Sequence, residues 1–156
     1  MKKLPYKEGD VFAVPLRNHK YSVGLIARMA PMGKILLGYF FGSIYEEIPK
    51  FDDLPKLHPS NAIKVLRFGD LSLLNGDWLI LGKIPDWNKK AWPMPKFQRV
   101  DLLTGKVREI KYKDDDPSVV LEEVVSQNSN YCLERDALLG SGAVEITLTK
   151  ETAISI

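Results

Sequence analysis

The sequence predicts a mainly-β fold, with α+β as the alternative: one domain over residues 1–156, arranged as a partly open antiparallel β-barrel with irregular Pro-rich connections. Three observations carry this reading. Short apolar runs recur between Gly, Pro and Asn turn signals, helical periodicity is scarce, and the first runs are apolar on both faces in places, as strands packed on two sides are.

"DVFAVPL" and "YSVGLIARM" are extended runs joined by the polar "RNHK", which predicts a hairpin. "PMGK" is a turn by its Pro and Gly, and "ILLGYFFG" is a third strand in which Gly38 marks a bend or a close backbone approach. Residues 43–62 change character: three prolines and four carboxylates predict an irregular connection with one helical turn. Order returns with "AIKVLRFGD". The "NGD" at 75–77 is a tight-turn signal, and "WLILGK" reads as a buried strand opened by a core Trp78. "KFQRVDLLTGKVREIKYK" is a hairpin turning at "LTGK", with one solvated face.

Two C-terminal stretches are ambiguous. "SVVLEEVV" fits a helix capped by Asp116 with Pro117 in first position, but its β-branched valines favour a strand. "AVEITLTK" alternates apolar and polar residues, and is read as a strand over 142–150 rather than a helix begun at Ser141.

Composition narrows the function classes. Apolar residues make up 45% and charged residues 27%, ordinary for a globular chain. The formal net charge is only +2 and the basic residues are scattered, which argues against nucleic-acid binding. No run reaches the ~18 apolar residues of a membrane helix, and the opening "MKKLPYKEGD" lacks the apolar segment of a signal peptide. The single Cys132 excludes an intrachain disulfide framework and points to a reducing cytosol.

Catalytic chemistry is hard to find. His19 lies in a predicted hairpin turn and His58 beside Pro59 in the irregular connection, both outside any H-x-H or H-E-x-x-H pattern, and Cys132 has no partner. No Gly-x-Ser-x-Gly elbow occurs, and "GSGAVE" reads as a backbone turn rather than a phosphate loop. Neither a metal nor a cofactor is expected, and no catalytic residue is assigned. What stands out instead is charge and aromatic surface. "DDD" at 114–116 needs solvent, a cation or a basic partner. Asp70, Asp77, Asp86 and Asp101 fall in or beside turns around Trp78, Trp87 and Trp92, and aromatic anchors with acidic rims suit a protein interface. The candidate partner-binding residues are therefore Asp70, Asp86, Trp87, Trp92, Asp114, Asp115 and Asp116.

"WPMPKF" (Trp92 to Phe97) cannot lie inside a helix or central strand, yet carries three side chains that chains normally bury. It is read as a rigid strap across the open side of the fold, aromatics inward, its prolines shielding an edge.

Taken together, "GDVFAVPL" (Gly9 to Leu16), "YSVGLIAR", "GYFF" (Gly38 to Phe41), "RFGDLSLLNGDWLILG" (Arg67 to Gly82), "PDWNKKAWPMPKF" (Pro85 to Phe97), "DLLTGK", "YKDDDP" and "LLGSGAVEITLT" resemble the bacterial immunity protein 26 family, also labelled immunity 26/phosphotriesterase HocA. The sequence departs most from that pattern between Ser43 and Asn61 and between Ser126 and Arg135. The resemblance implies a small cytosolic protein that binds a cognate polymorphic toxin, for example a nuclease, and blocks it stoichiometrically. The other half of the label implies phosphotriester hydrolysis. Two unpaired histidines do not supply the histidine cluster of a two-metal site, which leaves a metal-independent hydrolase as one alternative and a small nucleic-acid-binding barrel as another.

Overall fold

The computed structural model describes residues 3–126 and 133–154; Cys132 lies outside them. Among the described residues, ten strands form two open sheets. The first has six strands in the order β10-β4-β3-β2-β1-β5, and the second has four in the order β8-β7-β6-β9. The mainly-β class holds, but the sheets pack against each other without closing into a barrel.

The N-terminal hairpin forms as expected, with β1 (Asp10–Pro15) pairing antiparallel to β2 (Tyr21–Met29). Next come β3 (Ile35–Tyr45), β4 (Ala62–Gly69), α1 (Leu71–Asn75) and β5 (Ile80–Lys83). The Pro-rich connection contains two single 3-10 turns, Phe51–Asp53 and Pro59–Asn61. The second sheet holds β6 (Phe97–Val100), β7 (Val107–Lys113), β8 (Asp116–Ser126) and β9 (Glu134–Arg135). β10 (Leu138–Leu139) returns to the first sheet, and α2 (Ser141–Ile154) follows it. β9 and β10 pair in parallel, with β6 and β4 respectively, so neither sheet is purely antiparallel.

The two-sided apolarity of the first strands reflects a three-layer arrangement. Phe12, Val14, Ile26, Leu36, Phe40 and Phe68 face one way, into a core closed by Tyr6, Leu73, Trp78, Val144 and Leu148. Val11, Val23, Leu25, Leu37, Tyr39 and Phe41 face the other way, against Trp92, Phe97, Ile110 and Tyr112. The six-stranded sheet is thus buried on both sides, between helices and the second sheet, where a barrel strand would have one face inside and one outside. Gly38 is a close approach, as expected: a Cβ there would stand 2.7 Å from Phe68 Cε1.

One local expectation is met in a new setting and two are corrected. The tight turn at "NGD" forms, and it ends a helix: α1 stops at Gly76, which takes φ 85°, and Asn75 Oδ1 accepts from the Asp77 N–H. Trp78 is core, as expected, at 1% exposure, but it precedes the short edge strand β5, which is only half-buried. The 142–150 stretch is helical. Val144, Leu148 and Thr152 are spaced by four and all buried, and this helical spacing coexists with the alternation that suggests a strand. The Thr149 and Thr152 hydroxyls bond back to the carbonyls of Glu145 and Leu148, absorbing the polar positions within the helix. The strand reading of 118–125 is correct.

Candidate protein interface

In the structure the strap extends back to the end of β5 and runs from Ile84 to Phe97. Asp86 adopts φ 53°, which turns the chain so that Trp87 lies over Gly9. A Cβ on Gly9 would meet Trp87 Cγ at 2.9 Å, and Gly9 itself has φ 90°, so both the contact and the backbone favour glycine there. Asn88 then caps a 3-10 turn, Lys89–Ala91, by accepting from the Lys90 N–H. The chain reaches Trp92, which is 5% exposed. Its ring stands edge-on to Tyr39 at 5.0 Å and stacks obliquely on Trp87 at 6.2 Å. The Tyr39 hydroxyl donates to the Pro93 carbonyl, satisfying a group that proline-flanked backbone would otherwise leave to solvent. Burial holds the Tyr39 phenol above its usual pKa. Phe97, 1% exposed, starts β6. The strap therefore closes one side of the six-stranded sheet with its aromatics inward.

The β7–β8 turn docks beside it. Arg28, only 1% exposed, donates to Asp114 Oδ1 from Nη2 at 2.9 Å and from Nε at 3.3 Å. It also reaches the carbonyls of Ala27 and Lys89, and Lys89 Nζ lies 3.8 Å from Asp114 Oδ2. Asp114, the strap and β2 are thus tied at one buried guanidinium.

The acidic run accordingly splits three ways. Asp114 is held by cations, Asp116 accepts from the backbone N–H and hydroxyl of Ser118, and Asp115 alone has no hydrogen bond or ion pair among the described residues. Asp86 and Trp87 stay at the surface, exposed and half-buried respectively. Asp70 is placed elsewhere. It is 7% exposed, packs with the helix-side core, and accepts from the Tyr6 hydroxyl at 2.6 Å and the Lys34 N–H at 2.9 Å. Burial, then the Asp70 bond, raises the Tyr6 pKa well above the usual phenol range. The structure therefore gathers Asp86, Trp87, Trp92, Asp114 and Asp115 around the strap, and sets Asp70 and Asp116 to holding local backbone.

Several surface features carry no motif. Beside Asp86, a cleft of about 500 Å³ opens between Phe51, Leu54 and Leu57 on one wall and Ile84 and Pro85 on the other. The β6–β7 tip presents Leu102 and Leu103 at 95% and 96% exposure, on a turn fixed by Asp101, which accepts from the Leu103 and Thr104 N–H groups. Those bonds hold the Asp101 carboxyl below its ordinary pKa. Beneath the surface, Asp136 accepts from Arg67, Arg99 and Tyr112, with the Arg67 guanidinium 3.8 Å from the Tyr112 ring centroid. These partners lie 24 to 69 residues from Asp136 in sequence, so no local pattern could reveal the cluster.

No group of three or more His, Cys, Asp or Glu side chains among the described residues is placed to hold a metal ion. Among the same residues, no helix is long and apolar enough to cross a membrane. A family model described as Immunity protein 26 matches residues 7–108. That stretch runs from before β1 into β7 and takes in the strap, while "YKDDDP" and "LLGSGAVEITLT" lie beyond it. The description carries the immunity function alone, without the phosphotriesterase half of the wider label. No curated protein and no solved structure is significantly similar to the chain.

Proposed function

Since the chain belongs to the immunity protein 26 family, we propose that it neutralises a cognate bacterial toxin of the polymorphic kind in the cytoplasm by binding it stoichiometrically, without catalysis. The family match over residues 7–108 carries this reading. The surface is compatible with it. A rigid aromatic strap, the exposed carboxylates of Asp86 and Asp115 and the cleft that Asp86 lines together with Phe51, Leu54, Leu57 and Ile84 are features that bury well against another protein and need no reactive group. Asp86, Trp87, Asp114 and Asp115 form the contacting rim in this reading. Trp92 acts from beneath by fixing Trp87, and Asp70 and Asp116 hold the backbone that presents the rim. A toxin acting on nucleic acid would offer the basic groove that such a rim complements.

The test is co-expression with the toxin gene expected immediately upstream. Growth should be rescued, and the two proteins should co-purify at 1:1. Absence of both rescue and complex, with soluble protein present, would overturn the proposal.

A further inference from the structure

The two sheets have four terminal strands, and three are managed in the usual way. β5 has four residues, and β9 and β10 have two each. Short edges of this kind offer little to pair with. β8 is different. It runs for eleven residues, Asp116–Ser126, and among the described residues no strand lies on its outer side. Among the described residues, no backbone hydrogen bond outside the β7 ladder involves residues 119–125. Its start is anchored, with Pro117 buried and its carbonyl accepting from Arg67 Nε at 2.9 Å. From Ser118 to Val125 every residue is exposed. This gives an open edge of roughly 27 Å at ~3.4 Å per residue.

The side chains along that edge are those of a strand awaiting cover. Val119, Val120, Leu121, Val124 and Val125 are 38%, 44%, 57%, 46% and 49% exposed. No lysine or proline interrupts residues 118–125 to discourage pairing. Its only charges are Glu122 and Glu123, at the centre. Glu123 has Arg108 at 3.5 Å, while Glu122, opposite Lys111 in the β7 ladder, makes no ion pair among the described residues. This central acid decides the occupant. In a twofold antiparallel pairing of two copies centred on the exposed edge, the register that covers most of it, both Glu122–Glu123 pairs would converge at the middle of the ladder, and like charges opposed across strands are destabilising. A strand bearing a Lys or Arg at that point would gain a cross-strand ion pair and cover the flanking valines.

We infer that the open edge of β8 takes up an extended, apolar and basic segment of the cognate toxin as an added strand, with a Lys or Arg of that segment against Glu122. This rests on the immunity reading and deepens it. Main-chain hydrogen bonds supply affinity, and the acid at the centre selects charge and register. The edge leads out of the Asp114–Asp115 turn, so the added strand would continue the rim around the strap. β8 lies outside residues 7–108, where the family match ends.

The test uses the full chain and a catalytically inactive form of the toxin encoded immediately upstream. Val124→Lys and Glu122→Arg should each weaken the complex roughly tenfold or more, while Glu122→Gln should weaken it less. The thermal midpoint of Val124→Lys should hold, since that side chain is exposed and stands opposite Glu109, whereas Glu122→Arg stands opposite Lys111 and should lower it slightly. Hydrogen exchange should show amides within 118–125 gaining protection in the complex. An unchanged affinity in Val124→Lys, or unchanged exchange at 118–125 in a complex that still forms at 1:1, overturns this inference and leaves the immunity reading standing. A toxin that does not bind at all overturns both. A wild-type dimer that Val124→Lys converts to monomer assigns the edge to a second copy, and also overturns it.

Discussion

Arg28 and Asp114, 86 residues apart in sequence, meet at 2.9 Å, with the arginine 2% and the aspartate 62% exposed at the side chain. The pair is therefore asymmetric. Arg28 is the buried member, and three of its acceptors come from three different segments: β2, the strap and the β7–β8 turn. Asp114 is the solvated one, and water screens much of its attraction.

Removing the two partners should thus have unequal effects. Arg28→Ala empties a buried volume and strands the Lys89 carbonyl, and should cost about 3 kcal/mol or more in urea denaturation. Asp114→Asn keeps one acceptor oxygen and should cost about 1 kcal/mol or less. Equal losses would show that the ion pair, rather than the carbonyl contacts, holds Arg28 in place.

Legibility in the sequence followed burial period and chain distance. The β1–β2 and β6–β7 hairpins could be read because both arms and the turn chemistry sit within one short window. The strap could be read because proline excludes alternatives locally. α2 was misread because Val144, Leu148 and Thr152 satisfy a period of four while the intervening threonines mimic a period of two. Only the side chains that receive the helix, Trp78 above all, settle which period is used. Two open sheets in place of a barrel could not be inferred from strands apolar on both faces, since both architectures bury them. The candidate rim was legible as a set of residues, not as a contact surface. Asp86, Trp87 and Asp114 do converge near the strap, but Asp70 looks the same in sequence and is consumed by Tyr6. The open edge of β8 announced itself only as a strand, because exposure is a property of what fails to pack on it.

The α2 helix should depend on one indole. Trp78 Nε1 donates to Glu145 Oε2 at 2.8 Å, and the same carboxylate lies 3.3 Å from Arg17. Glu145→Ala leaves the N–H of a 1%-exposed tryptophan without its acceptor and should destabilise by about 1–3 kcal/mol. Glu145→Gln, which retains an oxygen, should recover part of that. Identical denaturation midpoints for the two variants would show that shape alone docks the helix.

Close packing across β1–β3 makes a sharp prediction at Gly24. A Cβ there would meet Phe12 Cζ at 2.6 Å and Phe40 Cδ1 at 2.9 Å. Phe12 cannot easily retreat, since it stacks on Trp78 at 5.6 Å and lies 5.9 Å from Phe68. Gly24→Ala should cost about 1–3 kcal/mol by overpacking. Gly140→Ala, with nothing within 4 Å of its Cβ, should stay within about 0.5 kcal/mol of wild type. Calorimetry of the two alanine variants checks the contrast.

Alkaline stability should report on Asp136. Burial first, then the hydrogen bond to Asp136, pushes the Tyr112 phenol up to about 12 from 10.0, and Arg67 beside it pulls the other way. The folded state thus keeps a proton that the unfolded chain releases. Below pH 10 the contribution is complete; as pH rises from 10 towards 12 it is lost, at up to about 1.4 kcal/mol per pH unit for one such group. Tyr6 and Tyr39, also raised, add to the same alkaline loss. Asp136→Asn removes the anionic acceptor but not the burial, so Tyr112 should release its proton at lower pH without returning fully to 10.0, and the fall in stability should start earlier. The same change leaves Arg67, itself held below its usual pKa chiefly by burial, without its counter-ion, so the variant should also be less stable at neutral pH by about 3 kcal/mol. Tyrosinate absorbance followed against pH, beside urea denaturation at pH 7 and pH 11, separates the two effects. A variant destabilised at neutral pH with an unshifted tyrosine titration would mean that burial alone raises Tyr112 and that Asp136 serves the arginines.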